Sequence, residues 1–182
     1  AITGASGAIF GIRMLEILSK ITEVETHLII SKAANITIHS ETNKKISDIK
    51  SLADFNYHVD DIAACMASGS FGTDGMIIAP CSIKTMSAIA HSYCDNLITR
   101  SADVILKERR KLVLMLRETP LHLTHLRNMV SIAENGGIIY PPVPAFYSNP
   151  KNIDDLVDHT VYRALDLFGI QDGGNLKRWN GL

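Results

Sequence analysis

Short, largely apolar segments alternate along this chain with stretches that have helical periodicity. The apolar segments span residues 24–30, 76–79, 112–116 and 138–140, and each is bounded by polar, glycine or proline residues. Strands inside a parallel sheet are buried on both faces and therefore lack a regular polar alternation. The helical stretches between them run to about ten to fifteen residues, which is typical of βαβ units. The pattern predicts an α/β fold: a Rossmann-like (flavodoxin-like), doubly wound parallel sheet with helices on both faces.

The predicted helices begin next to residues that cap helix amino termini well, among them Ser31, Ser82 and Asn152. We predict long helices near residues 9–18 and over 32–41, 83–90, 96–109, 120–134 and 153–168, and shorter ones at 47–52 and 60–66. No repeat, low-complexity stretch or linker divides the 182 residues, so we expect a single domain. Only three residues precede Gly4, fewer than a strand usually has, and we expect the native protein to carry a few more residues before Ala1.

The charge of the chain is nearly balanced, with 18 basic and 19 acidic side chains and a formal net charge of -1. This balance gives no electrostatic basis for general binding to nucleic acid or to membrane surfaces. No apolar run approaches the roughly 20 residues of a membrane span, and we expect no signal peptide. The three cysteines, Cys65, Cys81 and Cys94, form neither a disulfide framework nor a CxxC pair. This cysteine usage indicates a reduced, cytoplasmic compartment.

Residues that can bind a ligand follow almost every predicted strand. They are TGASG at 3–7, Ser31, the segment 82–85, Arg117 with Glu118, and the segment 141–147. Because the carboxyl ends of parallel strands meet at one edge of the sheet, these residues are expected to converge on one binding site. Taken singly, each has an ordinary interpretation: TGASG fits a tight turn, and Ser31 fits a simple helix cap. The basic residues 109–111 fit a solvated helix face as well as they fit a binding site.

Cysteine and histidine residues give weaker signals. Cys81 follows a strand, but no histidine lies near it in the sequence, and a buried structural cysteine is the favoured interpretation. His122 and His125 are three residues apart on one predicted helix, yet no further ligand pattern accompanies them. No metal site is therefore predicted.

Several longer segments carry a more specific signal. They are TGASG at residue 3, GSFGTDGMIIAPCSIKT from Gly69, ADVILKERRKLVLMLRETPLHLTHLRNM from Ala102, PPVPAFY from Pro141, and IDDLVDHTVYRALDLFGI after it. In this order they resemble the UbiX/Pad1 family of flavin prenyltransferases. The resemblance spans nearly the whole chain and is weakest at 43–68.

The resemblance implies that the protein binds FMN and transfers a dimethylallyl group from dimethylallyl monophosphate to the reduced flavin, without a metal. It also implies that the prenylated FMN serves a UbiD-type aromatic acid decarboxylase. Members of the family form dodecamers with the active site between subunits, so a homododecamer is expected.

The same resemblance assigns roles to individual residues. The implied flavin-binding residues are Gly4, Ala5, Ser6, Ser31, Ser82, Thr85 and Arg117, and the implied ligands of the prenyl phosphate are Tyr147, Arg163, Lys107 and Arg100. Glu118 resembles the acid/base glutamate of the family, and Glu41 resembles a second glutamate near the flavin, so the resemblance implies that both are catalytic. Trp179 resembles an aromatic residue on a carboxyl-terminal tail, here about 170–182, that covers the site.

Two other functions remain open. One is a direct FMN-dependent aromatic acid decarboxylase, and the other is a non-catalytic subunit that only carries FMN. The joint presence of Glu118, Tyr147 and Arg163 favours prenyl transfer over carriage, because storage of FMN needs no second phosphate site.

Overall fold

The computed structural model, which describes residues 1–170, 176–179 and 181, contains five short strands that pair in parallel. They are β1 (His27–Ile29), β2 (Phe55–Tyr57), β3 (Gly75–Cys81), β4 (Lys111–Leu116) and β5 (Ile138–Ile139). β1 pairs with β2, and β4 lies between β3 and β5. Parallel pairing requires each connection to cross back over the sheet, as the alternating sequence pattern predicts.

The first three residues join these two groups of strands into one sheet. The backbone N–H of Ile2 donates to the carbonyl oxygen of Ile29 at 3.0 Å. On the other side, the N–H of Ala79 donates to the carbonyl oxygen of Ala1 at 2.9 Å. The order across the sheet is therefore β2, β1, residues 1–3, β3, β4, β5. This is the Rossmann order, and it reverses between residues 1–3 and β3. The predicted α/β class is confirmed.

Helices cover both faces of the sheet. In the described part of the chain they are α1 (Ala8–Leu18), α2 (Lys32–Glu41), α3 (Ile46–Lys50), α4 (Ile83–Ala90), α5 (Leu97–Lys107), α6 (Leu123–Glu134) and α7 (Ile153–Asp166). α1 and α7 pack together on one face, and α4, α5 and α6 pack on the other. The side chains of Ser31, Ser82, Asn96 and Asn152 cap α2, α4, α5 and α7. No described helix is long and apolar enough to cross a membrane.

β4 is buried on both of its faces. Leu112 and Leu114 belong to the core beneath α4, α5 and α6, whereas Met115 belongs to the core beneath α1 and α7. All three side chains are fully buried, and burial of each contributes about 1.5–3 kcal/mol. A strand between two helix layers needs apolar residues on both sides, which explains why its sequence is continuously apolar.

Residues 43–68 differ from the sequence prediction in two ways. β2 was not predicted, and the short helix predicted at 60–66 is a loop that ends in a 3-10 turn at Cys65–Ala67. β2 forms an edge of the sheet and its side chains are largely exposed, so the sequence has no apolar run there. Ile62 in the loop is also exposed, so no buried face stabilises a helix this short.

Several element ends also differ from prediction for local reasons. β1 starts only at His27, because the N–H of Thr26 donates to the Asp54 carboxylate at 2.7 Å instead of to a strand. α5 ends before Arg109, whose φ of 58° is left-handed and cannot continue a helix. α6 begins three residues later than predicted, since the His122 side chain caps it. α7 ends two residues early, at Asp166.

Candidate active site

A cavity of about 640 Å³ lies at the carboxyl edge of the sheet, where the strand order reverses. Its volume is in the range of small-molecule sites, about 300–1,000 Å³. The lining residues are Gly4, Ala5, Ser6, Ala33, Ser82, Ile83, Lys84, Leu116, Arg117, Glu118, Thr119 and residues 141–144. Six of the residues to which the resemblance gives a role therefore share one cavity: Gly4, Ala5, Ser6, Ser82, Arg117 and Glu118.

Two glycines fix the loop that carries residues 4–6. Gly7 has a φ of 101°, a left-handed conformation that favours glycine, and it turns the chain into α1. A Cβ atom at Gly11 would overlap the carbonyl oxygen of Ala79, so α1 lies directly against β3. The role of Gly11 was not predicted from the sequence. Its signal is a glycine within a helix, where it costs about 1 kcal/mol relative to alanine.

The Glu41 carboxylate, at the last residue of α2, binds the amino terminus of α1. Its Oε2 accepts hydrogen bonds from the N–H of Gly7 at 2.8 Å and of Ala8 at 3.0 Å. Partial burial opposes ionisation, but these bonds, a bond with Ser6 and the charge of Arg117 together hold the pKa of Glu41 below its usual 4.5. Glu41 lies outside the cavity lining, and its contacts position the loop of residues 4–6.

Arg117 and Glu118 follow β4 directly and face the cavity. Nε of Arg117 donates to the carbonyl oxygen of Ser6 at 3.0 Å, which connects the end of β4 to the first loop. Within the described residues this is the only hydrogen bond shown for the Arg117 side chain, so its terminal amino groups can receive an anion. Oε1 of Glu118 accepts the N–H of Thr119 at 2.9 Å. A cation and a carboxylate thus occupy adjacent positions at one edge.

Hydroxyl groups connect the two sides of the strand-order reversal. The N–H of Ser82 donates to the hydroxyl of Thr3 at 2.8 Å, and that hydroxyl donates to the carbonyl oxygen of Pro80 at 2.7 Å. Ser82 also donates to the Thr85 hydroxyl at 3.1 Å. Thr85 and Ser31 lie beside the cavity but not in its lining, and their observed contacts are those of helix caps.

A second group of side chains surrounds Tyr140, next to the cavity wall formed by residues 141–144. Burial raises the pKa of Tyr140, and the nearby charges of Arg163 and Tyr147 modify it in opposite directions. The Tyr140 hydroxyl donates to the carbonyl oxygen of Thr160 at 3.1 Å, which places Tyr140 against the part of α7 that carries Arg163. The Tyr147 hydroxyl lies 3.4 Å from Nε2 of His159, and Arg163 pairs with Asp166 at 3.1 Å.

Arg100 and Lys107 lie elsewhere in the chain. Nε of Arg100 donates to the carbonyl oxygen of Ala67 at 3.2 Å. Lys107 pairs with Glu108 at the carboxyl end of α5, which leads into the amino end of β4, whereas the cavity lies at the carboxyl end of β4. Among the described residues of one chain, neither side chain contacts the group around Tyr140.

Cys81, His122 and His125 do not line the cavity. Cys81 is fully buried, and burial raises the pKa of its thiol, as the structural interpretation predicts. The rings of His122 and His125 lie 3.5 Å apart. Over the part of the chain that the structure describes, no group of three or more His, Cys, Asp or Glu side chains could hold a metal ion.

Comparison with known proteins places the chain in a family. Residues 1–165 match the flavoprotein family. Over 181 residues the chain is 55% identical to the flavin prenyltransferase UbiX of Escherichia coli (strain K12), an alignment that covers 99% of this chain and 96% of that protein. The chain belongs to the UbiX family of flavin prenyltransferases. The resemblance seen in the sequence motifs is confirmed.

Solved UbiX-type structures superpose on nearly the whole chain. The crystal structure of AnUbiX in complex with FMN and dimethylallyl pyrophosphate has a TM-score of 0.96 and 52% identity, and the match covers 100% of this chain and 95% of that one. The dodecameric FMN-dependent UbiX-like decarboxylase from Escherichia coli O157:H7 has a TM-score of 0.95 and 48% identity, with 99% and 98% covered.

Sequence reasoning about this UbiX-family chain missed two further residues beside the site. His159 and Asp166 contact Tyr147 and Arg163, the two residues that the resemblance assigns to a phosphate. The signal was available: His159, Arg163 and Asp166 are spaced by four and three residues, which places them along one side of a helix.

Proposed function

We propose that the protein is a flavin prenyltransferase that transfers a dimethylallyl group from dimethylallyl monophosphate to reduced FMN. The observation that carries this proposal is a pair of separate cationic positions. Arg117 lies at the cavity, and Arg163 lies on α7 three residues after Thr160, whose carbonyl oxygen accepts a hydrogen bond from Tyr140 at 3.1 Å. FMN and a prenyl phosphate each bring a phosphate group, so a prenyltransferase needs two such positions and an FMN carrier needs one. The AnUbiX structure holds a ligand of each kind.

The residues of the cavity suit FMN, which combines a flat apolar ring system with a polar chain and a phosphate. Ala33 and residues 141–144 offer apolar walls, and Ser82 offers a hydroxyl at the amino terminus of α4. The amino terminus of α1 already binds the Glu41 carboxylate. We therefore assign the FMN phosphate to the side of the cavity formed by Ser82 and Arg117, where a helix amino terminus and a guanidinium both favour an anion.

Arg163 and Tyr147 would hold the phosphate of the prenyl donor. A guanidinium can bind two phosphate oxygens at once, and a phenol can donate to a third. Negative charge accumulates on these oxygens as the carbon–oxygen bond breaks, so a preplaced cation lowers the barrier. When bound, reduced FMN supplies the nucleophile that accepts the prenyl carbon.

Glu118 is the proposed acid/base residue. Its Oε1 is held by the N–H of Thr119, which leaves Oε2 to exchange a proton at the cavity. From there the carboxyl group would protonate an oxygen of the departing phosphate and then take up the proton that the acceptor releases.

We propose that a neighbouring subunit completes the phosphate site with Arg100 and Lys107, in a homododecamer. Their position away from the group around Tyr140 in one chain supports this, as does the dodecameric state of the UbiX-like decarboxylase. The tail of about 170–182 is proposed to cover the site. Within its described part, the Trp179 ring lies 5.8 Å from that of Tyr147; residues 171–175, 180 and 182 lie outside the described residues.

The further steps are also proposals. The prenylated FMN would be passed to a UbiD-type aromatic acid decarboxylase, which accords with the description of a similar protein as a UbiX-like decarboxylase. The protein would act in the cytoplasm. Its cysteines are free thiols in the structure, which suits a reducing compartment.

The deciding experiment is mass analysis of the flavin after anaerobic incubation with reduced FMN and dimethylallyl monophosphate, with dimethylallyl pyrophosphate in a parallel reaction. We expect a new flavin that is heavier by one prenyl unit with the monophosphate. An unchanged flavin with both donors would indicate a carrier. Release of carbon dioxide from an aromatic acid without a UbiD-type partner would indicate a direct decarboxylase.

A further inference from the structure

One side of α7 carries residues that contact the carboxyl-terminal segment Lys177–Trp179. His159, Arg163 and Asp166 lie along this side because they are spaced by four and three residues. The carbonyl oxygen of Lys177 lies 3.3 Å from Nε2 of His159, and Arg178 pairs with Asp166. The segment therefore follows the helix past Arg163.

The Asp166 carboxylate binds two arginines at once. Arg178 approaches it with two amino groups, at 2.5 Å from Oδ1 and 3.3 Å from Oδ2, whereas Arg163 makes a single bond of 3.1 Å to Oδ2. The hydrogen bond from Arg178 and the charges of both arginines hold the pKa of Asp166 below its usual value, so the carboxylate is ionised at neutral pH. One charged group thus links a proposed phosphate ligand to the carboxyl-terminal segment.

The other end of the segment touches the second proposed phosphate ligand. The Trp179 ring packs edge-on against the Tyr147 ring, at 5.8 Å between centroids. Nζ of Lys177 donates to the carbonyl oxygen of Ser148 at 2.9 Å. Both proposed phosphate ligands are therefore connected to residues 177–179. Tyr147 contacts Trp179 directly, and Arg163 is connected to Arg178 through Asp166.

We propose that Asp166 is a positioning residue of the donor-phosphate site, which orients Arg163 and holds Arg178 so that Trp179 packs on Tyr147. The proposal rests on the proposed function, because it takes Arg163 and Tyr147 as ligands of the donor phosphate.

The unequal bonding explains how one carboxylate can serve both arginines. A phosphate that arrives at Arg163 competes with one hydrogen bond to Asp166, whereas the two bonds from Arg178 remain. The pair of Asp166 and Arg178 keeps the segment in place while Arg163 turns to the phosphate. Without Arg178, the carboxylate would bind Arg163 alone and compete more strongly with the donor.

The test uses the fact that Trp179 is the only tryptophan in the chain. Asp166→Asn and Arg178→Ala are compared with the wild type as FMN-loaded oligomers, by the emission maximum of Trp179 and by the rate of tryptic cleavage after Lys177. We expect both variants to show a red-shifted emission and a cleavage rate raised at least about fivefold, since a lost ion pair frees the segment. Asp154→Asn, an exposed change in the first turn of α7, is the matched control and should behave as the wild type.

Steady-state kinetics test the link to the donor. Both variants should raise the KM for dimethylallyl monophosphate at least about fivefold and leave the Kd for FMN unchanged, and Arg178→Lys should partly restore the wild-type KM. Unchanged emission and cleavage in Asp166→Asn would overturn the proposal. Changed emission with an unchanged donor KM would overturn the positioning role and leave the proposed function intact. Absence of prenylated flavin in the wild type would overturn both.

Discussion

Removal of the Glu41 charge should loosen the loop that carries residues 4–6. The carboxylate accepts two backbone hydrogen bonds at 2.8 and 3.0 Å at the start of α1. A buried bond to a charged group is worth about 1.5–3 kcal/mol, but Glu41 is exposed, and a carboxylate at an exposed helix amino terminus contributes about 0.3–1 kcal/mol. We therefore expect Glu41→Gln to lower the free energy of unfolding by about 0.5–1 kcal/mol. Glu41→Ala, which removes both acceptors, should lower it by about 1–2 kcal/mol.

Urea unfolding of the flavin-free protein measures these changes, and their pH dependence tests the cause. Because the pKa of Glu41 in the folded chain lies below 4.5, its contribution is complete above that pH and is lost as the pH falls through the folded value. The difference between wild type and Glu41→Gln should shrink accordingly. Glu134→Gln, an exposed change at the end of α6, controls for loss of charge alone. Wild-type stability of Glu41→Gln at pH 7 together with impaired prenyl transfer would refute the positioning role and favour a catalytic one.

The other predictions concern the phosphate site, the packing of α1 and the cysteines. Arg163→Ala and Glu118→Gln should both keep FMN binding, measured by absorbance, but lose prenyl transfer, measured by mass. The Arg163 side chain is about half exposed. Its loss should therefore lower the rate of prenyl transfer about 30-fold, the lower end expected for a charge partner. Gly11→Ala should lower the free energy of unfolding by about 1–3 kcal/mol in urea, despite the better helix propensity of alanine, because its Cβ meets the backbone of β3. Iodoacetamide should label exposed Cys65 in the native protein and spare buried Cys81, as peptide mass analysis would show.

Each of these predictions has a control and a contrary result. Arg127→Ala replaces an exposed arginine on α6 and should leave transfer unchanged; equal transfer by Arg163→Ala would remove Arg163 from the site. Gly72→Ala adds a Cβ in open space, so a Gly11→Ala protein as stable as Gly72→Ala would contradict the close packing. Labelling of both cysteines at one rate would show that Cys81 is accessible.

The inner strands and the capped helices could be predicted because each has a local cause. β4 is apolar since helices cover both faces of the sheet, and Ser31 and Ser82 mark helix starts by a bond three residues away. β2 could not be predicted, because an exposed edge strand has no apolar pattern.

The candidate site likewise has residues that could be predicted from the sequence and contacts that could not. Arg117 and Glu118 could be placed at the cavity because they directly follow an apolar strand. Glu41 lies 34 and 33 positions along the chain from its partners Gly7 and Ala8, and Arg178 lies 12 positions from Asp166. Neither contact has a local signal, since chain folding alone brings the partners together.

The central position of residues 1–3 has a consequence for how the protein assembles. The hydroxyl of Thr3 bonds to Pro80 and Ser82, which lie 77 and 79 positions further along the chain. Contacts of such long range form late, and they make folding slower. The cavity does not exist until β3 has been placed beside this segment, so ligand affinity should be absent from amino-terminal fragments that end before residue 82. A ligand in the cavity would touch residues on both sides of the segment, and at 100 times its Kd it would add about 2.7 kcal/mol to the free energy of unfolding. Cofactor supply would then govern how long each newly made chain survives proteolysis.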